Sequence, residues 1–135
     1  CGWTCYDLDA ELIKLASKKF IGKHDFSAFR SAECQAKSPI RTIEYIKVEK
    51  FKNFYLFTIC GDGFLHHQIR NIIATIINVG RNEMRADFID TLIKKRDRSL
   101  VPATFSANGL YLTNIKYDKI WSLPDMENTL NIFKA

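Results

Sequence analysis

The most regular hydrophobic pattern in the chain lies between residues 61 and 80, GDGFLHHQIRNIIATIINVG. A glycine-flanked acid interrupts the preceding segment, and isoleucines then recur at the three- and four-residue spacing of one helical face. This pattern predicts a helix that begins at Phe64 or Leu65 and stops near Gly80. Arg70 lies on or beside the isoleucine stripe, so a permanent charge borders a predicted core face.

Two further segments show the spacing of amphipathic helices. Asp9 is suited to cap a helix from Ala10 to Phe20, and a second helix is predicted from Arg85 to Lys95. The basic run KKRDR, residues 94–98, either compensates the dipole at the end of that second helix or contacts phosphates.

Segments rich in β-branched and aromatic residues predict strands at Thr42–Lys50 and Phe54–Cys60, joined as a hairpin by a short turn. A third strand is predicted at Leu110–Tyr117, and a short helix beyond Pro124. The order helix, strand, strand, helix, helix, strand predicts one α+β domain over residues 1–135. Its sheet is expected to be largely antiparallel, with the helices on one face.

Composition narrows the class of protein without identifying a function. A hydrophobic fraction of 47% and an aromatic fraction of 13% favour a folded globular domain. The net charge of +5 is compatible with an anionic partner, but charge alone does not establish one. No apolar run approaches the length of a membrane span, so no membrane partner is expected.

The cysteines and the start of the chain bear on location and completeness. The four cysteines show no C-x-x-C pair, which favours reduced thiols in an intracellular, cytoplasmic protein over zinc binding. The first residues lack the basic leader and apolar core of a signal peptide. Because the chain also lacks an initiator methionine, we expect a fragment, a processed product or a single domain of a longer protein.

Arg70 needs an explanation, because a partly buried guanidinium cannot release its proton. It requires a carboxylate, a phosphate or backbone carbonyls, unless it lies at the edge of the stripe and reaches solvent. His66 and His67 precede it by four and three residues, so both are expected on its side of the helix. Adjacent helical side chains diverge by about 100°, which favours phosphate contacts or hydrogen bonds over shared metal binding.

Four motifs in order carry a resemblance to a known family: HDFSAFR with CQAKSPIRTI, GDGFLHHQIRNI, KKRDRSLVPAT and GLYL. They resemble the C-terminal half of the TruA-type tRNA pseudouridine synthases, from about Asp7 to Pro124. The resemblance implies an isomerase that converts uridines 38, 39 and 40 of the tRNA anticodon arm to pseudouridine without a cofactor. It also implies two similar α+β domains, plait-like in fold, and a homodimer whose subunits both contact the tRNA.

The same resemblance assigns roles to individual residues. Arg70 would pair with the catalytic aspartate, and Leu110 would line the uracil pocket. The family carries that aspartate in an Arg-Thr-Asp-x-Gly-Val-His motif, and this sequence contains no Thr-Asp pair. The missing N-terminal half would therefore supply it, and this chain alone would be inactive. The residues expected to contact RNA are Arg30, Arg41, His66, His67, Lys95 and Arg96.

Two other classes of function compete with this interpretation. One is a non-catalytic RNA-binding α+β module, although no strand carries the aromatic cluster of an RNP motif. The other is a metal-dependent hydrolase using His24, His66 and His67, which would lack a carboxylate framework at suitable spacing. We expect neither a metal ion nor a cofactor.

Overall fold

In the computed structural model, which describes residues 1–122 and Pro124, three α-helices pack with a three-stranded antiparallel sheet. Single 3₁₀ turns are also present. The predicted α+β class is confirmed, and the helix predicted beyond Pro124 lies outside the described residues. In chain order the elements are α1 (Ala10–Lys19), β1 (Gly22–Asp25), a 3₁₀ turn (Ser27–Phe29), β2 (Ile40–Phe51), β3 (Phe54–Gly61), α2 (Gln68–Gly80), α3 (Phe88–Lys95) and 3₁₀ turns at Arg98–Leu100 and Lys119–Trp121.

The hairpin of β2 and β3 is confirmed, and both strands extend beyond the predicted bounds. Phe51 pairs with Phe54, which leaves Lys52 and Asn53 as a two-residue turn, and Lys52 adopts a left-handed φ of 51°. The register shifts near Glu44, where β2 carries one residue more than its partner. This irregularity lies beside the turn that leads to α2.

Strand β1 was not predicted, because its sequence GKHD lacks the alternation that identifies strands. It forms because it pairs with β2, from Gly22 opposite Ile43 to Asp25 opposite Ile40. The sheet order is therefore β1-β2-β3. A short polar segment therefore forms a strand because it pairs with a distant part of the chain, which the local sequence does not indicate.

The strand predicted at Leu110–Tyr117 is wrong. These residues have no regular secondary structure, and Leu112 is 75% exposed. An apolar-polar alternation makes a strand only when a neighbouring edge supplies the hydrogen bonds, and neither β1 nor β3 pairs with this segment. The sequence alternates as a strand would, but no strand among the described residues forms a hydrogen-bonded ladder with it.

The core lies where α1 and α2 meet each other and where α1 packs on β2. Asp9 caps α1 as predicted, because its carboxylate accepts hydrogen bonds from the backbone N–H groups of Glu11 and Leu12. Along α1, Ile13 is fully buried, whereas Leu15 is 47% exposed. Among the described residues, no helix has both the length and the apolar character needed to cross a membrane.

Helix α2 stops at Gly80 as predicted but starts at Gln68, three to four residues later than expected. The cause is His67, whose left-handed φ of 62° cannot continue a helix. Leu65 remains buried ahead of the helix, and its N–H donates to the Gln68 side chain at 2.8 Å. Helix α3 is likewise shorter at its start than predicted.

Candidate functional site

The turn between β3 and α2 positions the first residues of the candidate site. Asp62 accepts a hydrogen bond from the backbone N–H of Thr42 at 2.9 Å, and its own N–H donates to the Thr42 carbonyl at 3.1 Å. These two bonds extend the pairing of β2 and β3 past Gly61. Asp62 therefore acts as a turn residue that closes the end of the hairpin ahead of α2.

The two histidines lie in this turn, so the expectation that they share the Arg70 side of a helix is wrong. Their rings stack with centroids 4.0 Å apart and planes 25° from parallel. The His66 carbonyl accepts from the N–H of Ser31 at 2.9 Å, which ties the turn to the loop before β2. Burial, and then the positive charges of His66 and Arg70, lower the pKa of His67.

Arg70 lies in the first turn of α2 and is partly buried. Its Nε donates a hydrogen bond to the backbone carbonyl of Phe105 at 2.7 Å. No carboxylate among the described residues lies within ion-pair distance of its guanidinium. The side chain is therefore held by a carbonyl along one edge, which differs from simple extension into solvent.

Asn71, next in the helix, is fully buried and connects three parts of the chain. Its Nδ2 donates to the Phe29 carbonyl at 2.6 Å, and its Oδ1 accepts from Thr104 Oγ1 at 2.8 Å and from Arg98 Nη2 at 3.2 Å. Asn71 was not among the predicted site residues. The signal available in the sequence was an amide within an isoleucine-rich helix.

Arg98 also has a different role from the predicted one. The run KKRDR was expected to compensate a helix dipole or contact phosphates, but the Arg98 guanidinium is directed inward. Nη1 donates to the carbonyls of Val101 and Pro102, and Nη2 donates to Asn71 and Thr104. Arg98 thus fastens the segment 101–104 to the side of α2.

Leu110 follows a tight turn at Gly109, whose φ is 86°. Its N–H donates to the Ala107 carbonyl at 3.0 Å, and its side chain is 49% exposed. A Cβ on Gly109 would lie 2.7 Å from the Cα of Cys1, so only glycine fits. Leu110 is thus an exposed apolar side chain just beyond the segment that contacts Arg70.

Arg30 and Arg41 lie on either side of the loop formed by residues 31–39, Arg30 just before it and Arg41 at the second position of β2. Hydrogen bonds from the backbone at Ala36 and His66, followed by the charges of these two arginines, outweigh burial and lower the pKa of Cys34. Both guanidiniums also donate to loop carbonyls: Arg41 Nη1 to Ser38 and Ile40, and Arg30 Nη1 to Ala36. The predicted RNA contacts Arg30, Arg41 and His66 therefore surround one loop.

Arg96 lies close to this group, whereas Lys95 is an exposed side chain at the end of α3. Arg96 Nε is 3.1 Å from Asp25 Oδ2. Burial would raise the pKa of Asp25, but hydrogen bonds from Ser27 and the charges of Arg96 and Arg30 together lower it. Asp25 thus lies between two of the predicted RNA-binding arginines and partly neutralises them.

The histidines form no metal site with other ligands in the part of the chain that the structure describes. No group of three or more His, Cys, Asp or Glu residues within residues 1–122 could hold a metal ion. His24 Nε2 lies 3.0 Å from the Ile21 carbonyl, and its ring packs edge-on against Phe26. All four cysteines are free.

This chain is similar to known proteins over most of its length. A family model described as tRNA pseudouridine synthase matches residues 16–118. The tRNA pseudouridine synthase A of Nitrosomonas eutropha is 44% identical over 139 aligned residues, which cover 99% of this chain and 50% of that protein. The same enzyme from Methylobacillus flagellatus is 44% identical over 131 residues, covering 97% of this chain and 50% of that protein.

A third relative, tRNA pseudouridine synthase A of Nitrosomonas europaea, is 43% identical over 123 residues, or 91% of this chain and 45% of the relative. The chain spans about half the length of the curated relatives it matches. Since the family model covers most of the sequence, from the middle of α1 to the segment beyond Leu110, this chain belongs to the tRNA pseudouridine synthase family.

Proposed function

We propose that this chain is the C-terminal domain of an enzyme that isomerises uridine to pseudouridine at positions 38 to 40 of the tRNA anticodon arm. The observation that carries the proposal is the state of Arg70. It is a partly buried guanidinium fixed along its Nε edge, and no described residue supplies it with a carboxylate. Membership of the family supports the same assignment.

The chemistry of Arg70 fits a partner that is an acid from outside this chain. With Nε bound to the Phe105 carbonyl, the two Nη groups form the fork that binds a carboxylate through two parallel hydrogen bonds. A guanidinium next to an aspartate keeps that carboxylate ionised and restricts its rotamers. Both effects are needed by an aspartate that acts as a nucleophile.

The proposed reaction rearranges bonds within one nucleotide and needs no cofactor. The aspartate of the N-terminal half attacks C1′, so the glycosidic bond between N1 and C1′ breaks and an ester bond joins the carboxylate to C1′. The detached uracil rotates, and C5 then bonds to C1′ as this ester bond breaks and frees the carboxylate. The C5 proton is released and N1 takes up a proton. Leu110 would supply an apolar wall to the uracil, since a flat base is held well between apolar surfaces.

The tRNA would be held by its phosphates while the target base is extracted from the stack. Arg30, Arg41 and His66 surround one loop, and His67 continues this surface toward Arg70. Lys95 and Arg96 at the end of α3 would extend it. The charge distribution supports an RNA surface that leads to Arg70.

The exposed apolar side chains support an assembly larger than this chain. Trp3, Leu112, Ile120 and Trp121 are each more than two-thirds exposed. Apolar surfaces of this kind are usually covered by another domain or subunit. We propose that the N-terminal domain and a second subunit of a cytoplasmic homodimer cover them.

The test measures tritium release from tRNA that carries uridine tritiated at C5, because the C5 hydrogen is lost when the new bond forms. The assay compares this chain, the full-length protein from its reading frame, and three full-length variants: Arg70→Ala, Arg70→Lys and Arg85→Ala. Arg85 is the matched control, since its side chain is 89% exposed and forms a surface ion pair with Asp87. Binding to tRNA is measured in parallel.

We expect release by the full-length enzyme and by Arg85→Ala, and none by this chain alone. Arg70→Ala should abolish release while tRNA binding is largely kept. Near-normal turnover by Arg70→Ala would refute the assigned role. Binding to tRNA without release by any protein would instead favour the non-catalytic RNA-binding module.

A further inference from the structure

The Arg98 guanidinium donates its hydrogen bonds to neutral acceptors within the chain. Nη1 lies 2.9 Å from the Val101 carbonyl and 3.2 Å from the Pro102 carbonyl. Nη2 lies 3.2 Å from Asn71 Oδ1 and 3.1 Å from Thr104 Oγ1. An arginine used for phosphate binding would keep its fork toward solvent, so these contacts indicate an internal task.

Two of the residues that Arg98 contacts lie next to Arg70 and Phe105, which indicates what this internal role is. Thr104 Oγ1 donates to Asn71 Oδ1 at 2.8 Å, and these two residues directly adjoin Phe105 and Arg70 in the chain. The bond between Thr104 and Asn71 therefore joins the same two segments as the bond from Arg70 to Phe105. It lies one residue later in α2 and one residue earlier in the loop. We call Asn71, Arg98 and Thr104 the clamp.

The clamp is anchored on the side opposite to the loop. Asn71 is fully buried, and its Nδ2 is held by the Phe29 carbonyl at 2.6 Å. The amide therefore cannot turn to follow a displaced loop without breaking a buried hydrogen bond. Any freedom in the position of Phe105 must come from the loop side, which Arg98 restrains through three acceptors, the carbonyls of Val101 and Pro102 and the hydroxyl of Thr104.

We propose that Arg98 is a positioning residue that, through the clamp, sets the Phe105 carbonyl against Arg70 and thereby aims the Arg70 fork at the nucleophilic carboxylate. The inference rests on the proposed function, because it assumes that Arg70 meets that carboxylate. A lysine at position 98 keeps the charge but cannot span the four acceptors. A misplacement of about 1 Å at a catalytic group can reduce turnover by roughly a hundredfold.

The experiment uses the full-length enzyme and the variants Arg98→Lys, Thr104→Val and Thr104→Ser. Thr104→Val removes the hydroxyl at nearly constant volume, and Thr104→Ser restores it. Measurements are kcat and KM for tRNA, thermal unfolding, and the pH dependence of kcat. The last is decisive, because a loosened Arg70 would let the pKa of the nucleophilic aspartate rise.

We expect Arg98→Lys and Thr104→Val to lower kcat about tenfold or more with KM nearly unchanged. Both should move the acidic limb of the pH profile upward, by up to about one pH unit. Thr104→Ser should return both properties toward wild type. A lower kcat with an unmoved acidic limb, or no rescue by serine, would overturn the proposal and leave only a role in stability.

Two outcomes separate this inference from the function on which it rests. If Arg70→Ala is inactive but the Thr104 variants keep the wild-type limb, the clamp proposal fails and the proposed function stands. If Arg70→Ala is active, the assigned role of Arg70 fails and the clamp proposal fails with it. Should Arg98→Lys not fold, the pair of Thr104 variants decides the question alone.

Discussion

Asn71→Ala should destabilise the protein more than any other truncation of a polar side chain in α2. The substitution removes a fully buried amide that makes three hydrogen bonds, to the Phe29 carbonyl, Thr104 Oγ1 and Arg98 Nη2. The Phe29 carbonyl loses a buried donor at 2.6 Å, whereas Thr104 and Arg98 keep their bond to each other at 3.1 Å. The substitution therefore costs most at the Phe29 carbonyl and less at Thr104 and Arg98.

The magnitude follows from these contacts. An acceptor left unsatisfied in the interior costs about 1–3 kcal/mol, and a lost hydrogen bond to a charged donor costs about 1.5–3 kcal/mol before compensation. Because Arg98 retains other acceptors, we expect the free energy of unfolding to fall by about 3 kcal/mol in total. For a chain of this size that corresponds to a decrease in Tm of about 10 °C.

Asn78→Ala is the matched control on the same helix. Its Nδ2 donates to the Ala74 carbonyl at 2.9 Å, one turn back, and that carbonyl keeps its place in the helical ladder. Its loss should cost less than about 1 kcal/mol. Both variants are compared by urea denaturation and by thermal unfolding. Equal effects for the two asparagines would refute the claim that the Asn71 contacts stabilise the loop.

Three further predictions concern packing, pH and RNA. Gly80→Ala should lower the free energy of unfolding by about 1–3 kcal/mol in urea denaturation, because the new Cβ would lie 2.8 Å from Cγ1 of the fully buried Ile13. The pKa of His67 is lowered from 6.5 by burial and nearby positive charge, so its neutral form stabilises the fold above that pH and the contribution is lost as the pH falls. Denaturation at about pH 8 and about pH 5 should therefore show a smaller acid loss in His67→Gln than in wild type; an equal loss would contradict this. Arg41→Ala or Arg30→Ala in the full-length enzyme should weaken tRNA binding and reduce the slope of log K against log salt by about 0.7–0.9, measured by filter binding, and an unchanged slope would exclude a phosphate contact.

Local signals in the sequence predicted the elements that depend on local interactions. The Asp9 cap, the end of α2 at Gly80 and the hairpin of β2 and β3 each need only a few neighbouring residues. The elements that were predicted wrongly depend on partners far away in the sequence. Strand β1 exists through its pairing with β2, and within residues 1–122 the alternating segment Leu110–Tyr117 pairs with no strand.

The predicted start of α2 was wrong for a different reason, because the start depends on one backbone angle. Histidine at φ 62° is uncommon, and nothing in the pattern GFLHHQ requires it. The consequence is large because it moves His66 and His67 off the helix and lets their rings stack. A single left-handed residue thus changed the geometry predicted for two site residues.

The hydrogen bond of Arg70 shows which part of the site the side-chain pattern of the sequence could predict and which part it could not. Its charge beside an isoleucine stripe correctly identified a residue that needs a partner, but the partner observed is a backbone carbonyl 35 residues away, which no side-chain pattern encodes. A second signal was present in α2, where Gln68, Asn71 and Thr75 recur at three and four residues and are all fully buried. Thr75 donates back to the Asn71 carbonyl within the helix, and Gln68 accepts from the nearby Leu65 N–H. The Asn71 amide instead takes its partners from other segments, because a buried polar group left without them would destabilise the fold. One of these segments is the loop that holds Arg70, so Asn71 and Arg70 are two parts of one arrangement.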